Sequence, residues 1–272
     1  MAAPRIALHG TQKVIRGAAQ PEAPDELAVE EPVEIRVRND PVSVTMRTPG
    51  DDFDLAAGFL FTEGILKSSA DLGAIRYCSD EKHPDLRNVI DVTPATGVTL
   101  DLARARRNFT SNTSCGLCGK AAIEDILQIV KPITARLRIK PDTITSLAGR
   151  LKDAQTVFAR TGGLHAVGVF DQDGTLLVTR EDVGRHNATD KAIGSIFLAG
   201  GLPLDKHILM VSGRASFEIV QKAAMAGIPV LCAVSAPSSL AVEFARTIGM
   251  TLIGFLRGDS FNIYCGRERL EV

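Results

Sequence analysis

The sequence has few of the residues that mark several classes of protein. Its 272 residues include no tryptophan, and aromatic side chains make up only 5% of them. Neither sign of charge is in excess, because 31 Lys and Arg residues stand against 32 Asp and Glu residues. No global electrostatic field therefore draws the chain to nucleic acid or to a membrane surface. An anionic ligand would have to be bound by local clusters of positive charge.

Long apolar runs are absent as well. No run could span a bilayer, and the first residues lack the apolar stretch of a signal peptide. The five cysteines are an odd number in a chain that is large enough to bury a substantial core, so we do not expect a disulfide framework. The sequence therefore predicts a cytoplasmic protein with free thiols and no membrane partner.

Two of the cysteines lie in a setting that favours sulfur chemistry. Cys115 and Cys118 follow a polar run over 108–114 and precede Lys120. Apolar residues then recur at helical spacing, at Ile123, Ile126, Leu127 and Val130. A helix N-terminus and a nearby lysine both favour the thiolate, which is the nucleophilic form of cysteine. We therefore expect a mobile cysteine loop over 108–120 in which both thiols are catalytic.

Several kinds of site use a C-x-x-C motif. A zinc site would need two more ligands, but the sequence has no second C-x-x-C motif and no H-x-E motif of the zinc deaminases, so we expect no metal site. A thiol–disulfide oxidoreductase is compatible with the spacing. A persulfide carrier needs one exposed, reactive cysteine on a mobile loop, and this arrangement fits the sequence best.

The first part of the chain divides into two segments. Residues 1–26 contain several Pro and Ala without periodicity, which predicts a flexible tail. Residues 27–107 predict a smaller, β-rich portion, in which 33–37 and 42–46 alternate apolar and polar residues as a hairpin does. A helix is predicted after Thr48–Asp52, and further strands at 77–78 and 88–92.

Residues 121–272 predict a core domain of alternating strands and helices. The predicted helices cover 143–158, 186–199, 215–226 and 238–248. The predicted strands cover 164–170, 175–180, 207–212, 228–234, 250–256 and 261–265. Such alternation implies right-handed crossovers. The predicted fold class is α/β, a three-layer α/β/α arrangement around a mixed, largely parallel sheet.

Two strand-to-helix turns in this core carry groups that suit an anionic ligand. Residues 212–216 and 235–239 each follow a predicted strand, and parallel strands would bring both turns to one edge of the sheet. Ser212, Gly213 and Arg214 are therefore candidate binding residues, although serines at such positions are also common helix caps. Residues 255–260 end the last parallel strand and are a third candidate, or else a surface turn. The basic run 104–107 could steer a polyanion or be merely solvated.

Two histidines form a further candidate cluster. A four-residue turn would pair Phe170 with Thr175 and, counting back, His165 with Arg180. This pairing would bring His165 towards His186 at the start of a helix. The pair is a candidate acid–base or ligand-binding group, while either histidine alone would be an ordinary structural one.

Taken together, these motifs resemble those of the FdhD family of accessory sulfurtransferases, over nearly the whole chain after the tail. The matching segments are Arg47–Asp52, Ser114–Gly119, Gly162–His165, Arg180–Asn187, Ser212–Glu218 and Phe255–Ser260.

The resemblance implies a cytidine-deaminase-like fold without zinc, acting as a homodimer. It implies that sulfur passes from a cysteine desulfurase to the molybdenum cofactor, in its bis-molybdopterin guanine dinucleotide form, for formate dehydrogenase. The persulfide cysteine of the family falls on Cys115. The cofactor-binding stretch falls on Phe255, Leu256, Arg257, Gly258, Asp259 and Ser260. The alternative is a chaperone that binds the cofactor without catalysis and whose cysteines only hold the sulfur donor or the acceptor.

Overall fold

The computed structural model describes residues 3–78, 87–102 and 130–271. The predicted cysteine loop, with Cys115 and Cys118, lies outside the described residues, as do the basic run 104–107 and nearly all of the helix predicted to follow the cysteines. None of the helices in the described ranges is both long and apolar enough to cross a membrane.

The chain begins with a two-stranded antiparallel hairpin, β1 (Ile6–Ile15) and β2 (Ala18–Ala28). Its turn is formed by Arg16 and Gly17, with φ of 49° and 83°, as in a turn with two left-handed residues. The prediction that 1–26 lacks regular structure was therefore wrong. Most residues of both strands are exposed on both faces, so no alternating pattern marks them in the sequence.

A four-stranded sheet follows, built from β3 (Glu31–Val37), β4 (Asp40–Arg47), β5 (Leu72–Tyr77) and β6 (Val89–Pro94). The strand order is β4-β3-β6-β5, and only β3 and β6 run parallel. Helix α1 (Asp52–Thr62) lies between β4 and β5 in the chain, and a short 3-10 turn spans Ser69–Asp71. These elements confirm the predicted hairpin and the helix that follows it.

The second half of the chain forms a six-stranded sheet. Its strands are β7 (His165–Asp171), β8 (Leu176–Asp182), β9 (His207–Val211), β10 (Val230–Ala233), β11 (Thr251–Arg257) and β12 (Ser260–Cys265). The order is β12-β11-β10-β9-β7-β8. Only β9, β10 and β11 are mutually parallel, and the other three pairings are antiparallel. The sheet is thus mixed, and the prediction of a largely parallel sheet was wrong.

Helices cover both faces of this sheet. They are α2 (Pro141–Asp153), α3 (Phe158–Thr161), α4 (Arg185–Leu198), α5 (Phe217–Met225) and α6 (Ser239–Ile248), with a 3-10 turn over Arg267–Arg269. Alternate strand residues enter two apolar clusters. Leu209 packs with α4, α5 and α6, whereas Ile208 packs with α2 on the opposite face. The helix predicted over 143–158 ends at Asp153, and α3 follows separately.

The four-stranded sheet and the six-stranded sheet share one apolar cluster, because α1 packs directly against α4. The helices touch backbone to backbone at two glycines. A Cβ on Gly58 would lie 1.9 Å from the carbonyl oxygen of Asp190, and a Cβ on Gly194 would lie 1.9 Å from that of Asp54. Only glycine allows this approach.

Candidate functional site

Three turns meet at the carboxyl edge of the parallel strands. The turn after β10 links the other two, because the backbone N–H of Ser235 donates to the carbonyl of Gly213 (3.2 Å) and that of Phe255 donates to the carbonyl of Ser235 (3.2 Å). Ser238 also donates its N–H to the carbonyl of Ala215 (3.1 Å). The candidate turns 212–216, 235–239 and 255–260 therefore form one continuous surface, which we call the carboxyl edge.

The β11–β12 turn presents its side chains in two directions. Phe255 is exposed and has a left-handed φ of 53°, and the guanidinium of Arg257 lies 5.9 Å from the centre of its ring. Gly258 and Asp259 are exposed, as is Ser260. Leu256, in contrast, is fully buried among the residues that pack with α2. Within this stretch, Leu256 could meet a ligand only through its backbone.

The turn after β9 holds its residues against β7. The side-chain oxygen of Ser212 accepts the backbone N–H of Ala166 (2.9 Å). Gly213 lies beneath the ring of His165, so closely that a Cβ there would stand 3.3 Å from Nδ1. Arg214 is exposed at the end of the turn. The residues predicted for this turn thus face the same surface as His165.

The two serines at the helix starts behave differently. Ser238 caps α6, because its hydroxyl accepts the backbone N–H of Ala241 (3.2 Å). The hydroxyl of Ser216 makes no such bond at the start of α5. It lies 3.4 Å from Nε2 of His186 instead. The capping interpretation therefore holds for Ser238 and fails for Ser216.

The two histidines are held mainly in the neutral form. Burial, followed by the nearby Arg185 guanidinium, lowers the pKa of His165, and Arg214 adds to the effect. Burial and Arg185 also lower the pKa of His186, to about 4. The strand register differs from the predicted one by two residues. Phe170 pairs with Leu176 in place of Thr175, and a register shift at Val169/Phe170 adds one residue, so His165 pairs with Asp182 and not with Arg180.

A buried ion pair anchors the loop that precedes α4. Lys191 and Asp182 are both fully buried, with Nζ 2.7 Å from Oδ2. Asp182 also accepts the N–H groups of Thr48 and Gly184 and the amide of Asn187. Thr48 and Asp182 lie in two separate motifs, and nothing in the sequence indicates that these motifs are in contact.

A second buried cluster went unnoticed in the sequence. Lys222 Nζ lies 2.9 Å from Asp190 and 3.1 Å from Glu63, and Thr62 donates its hydroxyl to Asp190 (2.8 Å). Burial raises the pKa of Asp190 to about 6. The sequence feature that could have revealed this cluster is Asp190, a charged residue at a position of α4 that the helical periodicity places on the buried face.

The described cysteines are poor candidates for a reactive thiolate. Cys232 is fully buried, and burial raises the pKa of its thiol; burial also raises that of Cys265. Cys78 is the remaining described cysteine, and it is partly buried. Within the described ranges no group of three or more potential ligand residues could hold a metal ion. The roles assigned to Cys115 and Cys118 stay predictions.

Comparison with known proteins extends over almost the whole chain. The sequence profile of the FdhD/NarQ family matches residues 28–271. A protein of Streptomyces avermitilis named sulfur carrier protein FdhD is 51% identical over 95% of this chain and 93% of its own length. A protein of the same name from Mycobacterium tuberculosis is 49% identical over 91% of this chain and 92% of its own.

A solved structure agrees with these sequence matches. The crystal structure assigned as a formate dehydrogenase accessory protein from Desulfotalea psychrophila superposes with a TM-score of 0.77 at 25% identity. The match covers 98% of this chain and all of the other. By sequence and by fold, the chain belongs to the FdhD/NarQ family.

Proposed function

We propose that this protein is a sulfur carrier that serves formate dehydrogenase and works through a persulfide on Cys115. The observation that carries the proposal is the 51% identity, over nearly the whole length, to a protein named sulfur carrier protein FdhD. The C-x-x-C motif supports it, because a thiolate beside Lys120 is a suitable acceptor of sulfur.

The transfer itself needs no external oxidant. The Cys115 thiolate attacks the outer sulfur of a donor persulfide on a cysteine desulfurase. The bond between that sulfur and the donor cysteine breaks, the donor leaves as a thiolate, and Cys115 becomes the persulfide. Electrons and sulfur balance, because one thiolate and one persulfide exchange places. Cys118 lies three residues away as a second catalytic thiol.

The acceptor in this proposal is the molybdenum cofactor in its bis-molybdopterin guanine dinucleotide form. The carboxyl edge supports a nucleotide site, because Phe255 and Arg257 are exposed on the same edge as the turn of Ser212–Arg214, with the turn after β10 between them. An exposed aromatic ring can stack on a base, and Asp259 can accept hydrogen bonds from guanine. The protein would act in the cytoplasm as a homodimer.

Mass spectrometry tests the persulfide. After incubation with a cysteine desulfurase and cysteine, we expect one additional sulfur on the peptide that contains Cys115, and its loss on reduction. Cys115→Ala should abolish this adduct, whereas Cys78→Ala should keep it. An adduct that persists at 115–118 in Cys115→Ala, in a protein that still activates formate dehydrogenase, would contradict the proposal.

A redox titration separates the carrier from an oxidoreductase. The carrier does not need a reversible Cys115–Cys118 disulfide to accept sulfur, while an oxidoreductase depends on one. Efficient turnover of a model disulfide by the wild-type protein would favour the oxidoreductase. Formate dehydrogenase activation by Cys115→Ala, without any sulfur adduct, would favour a chaperone that only binds the cofactor.

A further inference from the structure

The chain between residue 130 and α2 carries a concentrated run of positive charge. Residues 131–140, which we call the basic connector, contain four basic side chains and no acidic one, although the total charge of the chain is almost balanced. Lys131, Arg136, Arg138 and Lys140 are all exposed, and none of them forms an ion pair within the described ranges. The positive charge of the basic connector is therefore not neutralised by the residues that the structure describes.

The basic connector has the pattern of an edge strand. From 133 to 140, buried or half-buried residues alternate with exposed ones. On its inner side, the N–H of Ile133 donates to the carbonyl of Ile248 (2.8 Å). The N–H of Ile139 donates to the carbonyl of Arg269 (3.0 Å), and Ile139 forms a parallel β-bridge to the C-terminal segment. The inner side of the connector is thus paired with the rest of the protein.

The outer side of the connector has no backbone partner among the described residues. Consecutive residues of a strand direct their N–H and C=O groups to opposite sides. Thr134, Arg136 and Arg138 therefore direct theirs away from the side that Ile133 and Ile139 use, and none of the three makes a backbone hydrogen bond within the described part of the chain. Their side chains are exposed and follow one another at intervals of about 7 Å.

Arg269 holds the connector in position. Its side chain is buried, and its guanidinium donates to the carbonyls of Ala135 (3.0 Å) and Ile133 (3.3 Å) and to the hydroxyl of Thr251 (3.2 Å). Glu268 lines the groove beside the connector, but its carboxylate lies 3.5 Å from the Arg269 guanidinium. A strand that binds the outer side would therefore meet a connector that is already positioned, which lowers the entropic cost of binding.

Charge and backbone together select the kind of partner. Positive side chains on an unpaired strand hinder its pairing with the same strand of a second copy, because like charges would lie opposite each other. The same charges favour a strand that carries carboxylates. A nucleic acid would use the side chains only, since its phosphates cannot donate hydrogen bonds to the free carbonyls. An acidic, extended peptide uses both the charge and the backbone groups.

We propose that the basic connector binds an acidic, extended segment of a partner protein as an added strand. Backbone hydrogen bonds to Thr134, Arg136 and Arg138 hold the segment, and its carboxylates meet the two guanidiniums. This site lies at the other end of β11 from the carboxyl edge, because Ile248 precedes β11 and Arg257 ends it. It is therefore separate from the nucleotide site of the proposed function and does not depend on it.

Fluorescence anisotropy with a labelled peptide, in which Glu alternates with Thr, tests the charge in the full-length protein. Wild type should bind this peptide at low ionic strength and should not bind a peptide in which Lys replaces Glu. Arg136→Glu combined with Arg138→Glu should weaken binding about tenfold or more, because two attractive contacts become repulsive. Lys13→Glu combined with Lys152→Glu, at exposed lysines outside the connector, is the matched control and should bind like wild type.

Methylated versions of the same peptide test the backbone pairing. Only one of the two alternating sets of peptide nitrogens faces the connector in an added strand. N-methylation of one set, the Glu or the Thr nitrogens, should therefore abolish binding, whereas methylation of the other set should leave it. Hydrogen exchange should also slow at the amides of Thr134, Arg136 and Arg138 when the unmodified peptide is bound.

Several results would overturn the site, and none of them affects the sulfur loading of Cys115. They are failure of wild type to bind the acidic peptide, and equal binding by wild type and the Arg136→Glu, Arg138→Glu protein with both folded by circular dichroism. Binding that survives methylation of either set would show attraction by charge alone. Tighter binding of oligothymidylate than of the peptide would indicate a nucleic acid, and self-association that is lost in the Glu variant would indicate a second copy.

Discussion

Two regions of the molecule treat charge in opposite ways. In the joint between α1, β4 and α4, charges are buried and partnered: Lys191 with Asp182, Lys222 with Asp190, and Arg47 with Asp52. Beside it, Arg185 at the start of α4 and Arg214 in the carboxyl edge form no ion pair with a described carboxylate, although Arg185 is near enough to help lower the pKa of Glu218. The joint thus pairs its buried charges internally, whereas these two arginines form no ion pair within the described part of the chain. Substitutions in the joint should therefore lower the free energy of unfolding more than substitutions at the edge do.

The largest effect is expected at the buried pair of the joint. Lys191→Met removes the cation that pairs with Asp182 and leaves the carboxylate buried. We expect a loss of about 3–5 kcal/mol in the free energy of unfolding, measured with urea. Lys206→Met, at an exposed lysine, is the control and should change it by less than about 0.5 kcal/mol. A Lys191→Met protein as stable as wild type would show that the joint does not depend on this pair.

The glycine contact of the joint gives the next effect. Gly194→Ala would place a methyl group against the carbonyl of Asp54, so α1 and α4 must separate. We expect a loss of about 1–3 kcal/mol on unfolding. Gly149→Ala, at an exposed and uncrowded position of α2, should instead stabilise by about 0.5–1 kcal/mol, because alanine favours the helix. The same sign for both substitutions would contradict the close contact.

The two serines of the edge provide a smaller contrast. Ser238→Ala removes the cap of α6 and should cost about 1 kcal/mol in chemical denaturation. Ser216→Ala removes no cap, so its cost should be clearly lower. A larger loss of stability for Ser216→Ala than for Ser238→Ala would contradict these contacts, because it would mean that Ser216 caps α5.

The last contrast concerns His186 and appears only as the pH falls below the neutral range. Its pKa is lowered in the folded protein, from about 6.5 to about 4, so the folded state binds fewer protons between these values than the unfolded state does. The contribution of His186 to stability is present above pH 6.5 and declines as the pH falls towards 4. His186→Gln should flatten the pH dependence of the unfolding free energy in that window. His9→Gln, on the exposed hairpin, should leave the slope as it is.

The sequence predicted the elements that have one buried and one exposed face. The alternation of 33–37 and the spacing of Ile144, Leu147 and Leu151 in α2 each reflect burial on one side, and both elements are found. The β1–β2 hairpin escaped prediction because most of its residues are exposed on both faces. The antiparallel pairing of β7 with β9 was not predicted either, because the sequence of a strand does not indicate the direction of the strand beside it.

The candidate site was predictable in outline only. The turn residues could be placed at one edge because the carboxyl ends of parallel strands coincide. The pairing of His165 with Asp182 could not be predicted, because a register shift inside the hairpin moved it. Arg185 belongs to the motif Arg180–Asn187, but whether its Nε has a hydrogen-bond partner among the described residues depends on the three-dimensional arrangement.

Phe255 has a left-handed backbone conformation, and this conformation has a consequence for engineering the stability of the protein. An aromatic residue at φ 53° is held against its own backbone preference, at a cost of about 1–2 kcal/mol, while more than a third of its surface faces solvent. A laboratory selection for heat resistance alone would favour glycine at this position. Such a variant would gain stability and, under the proposed function, lose the ring that stacks on the base, so thermal selection would need to be paired with a nucleotide-binding screen. Residue 255 is thus a position at which consensus-style stabilisation and function are expected to diverge.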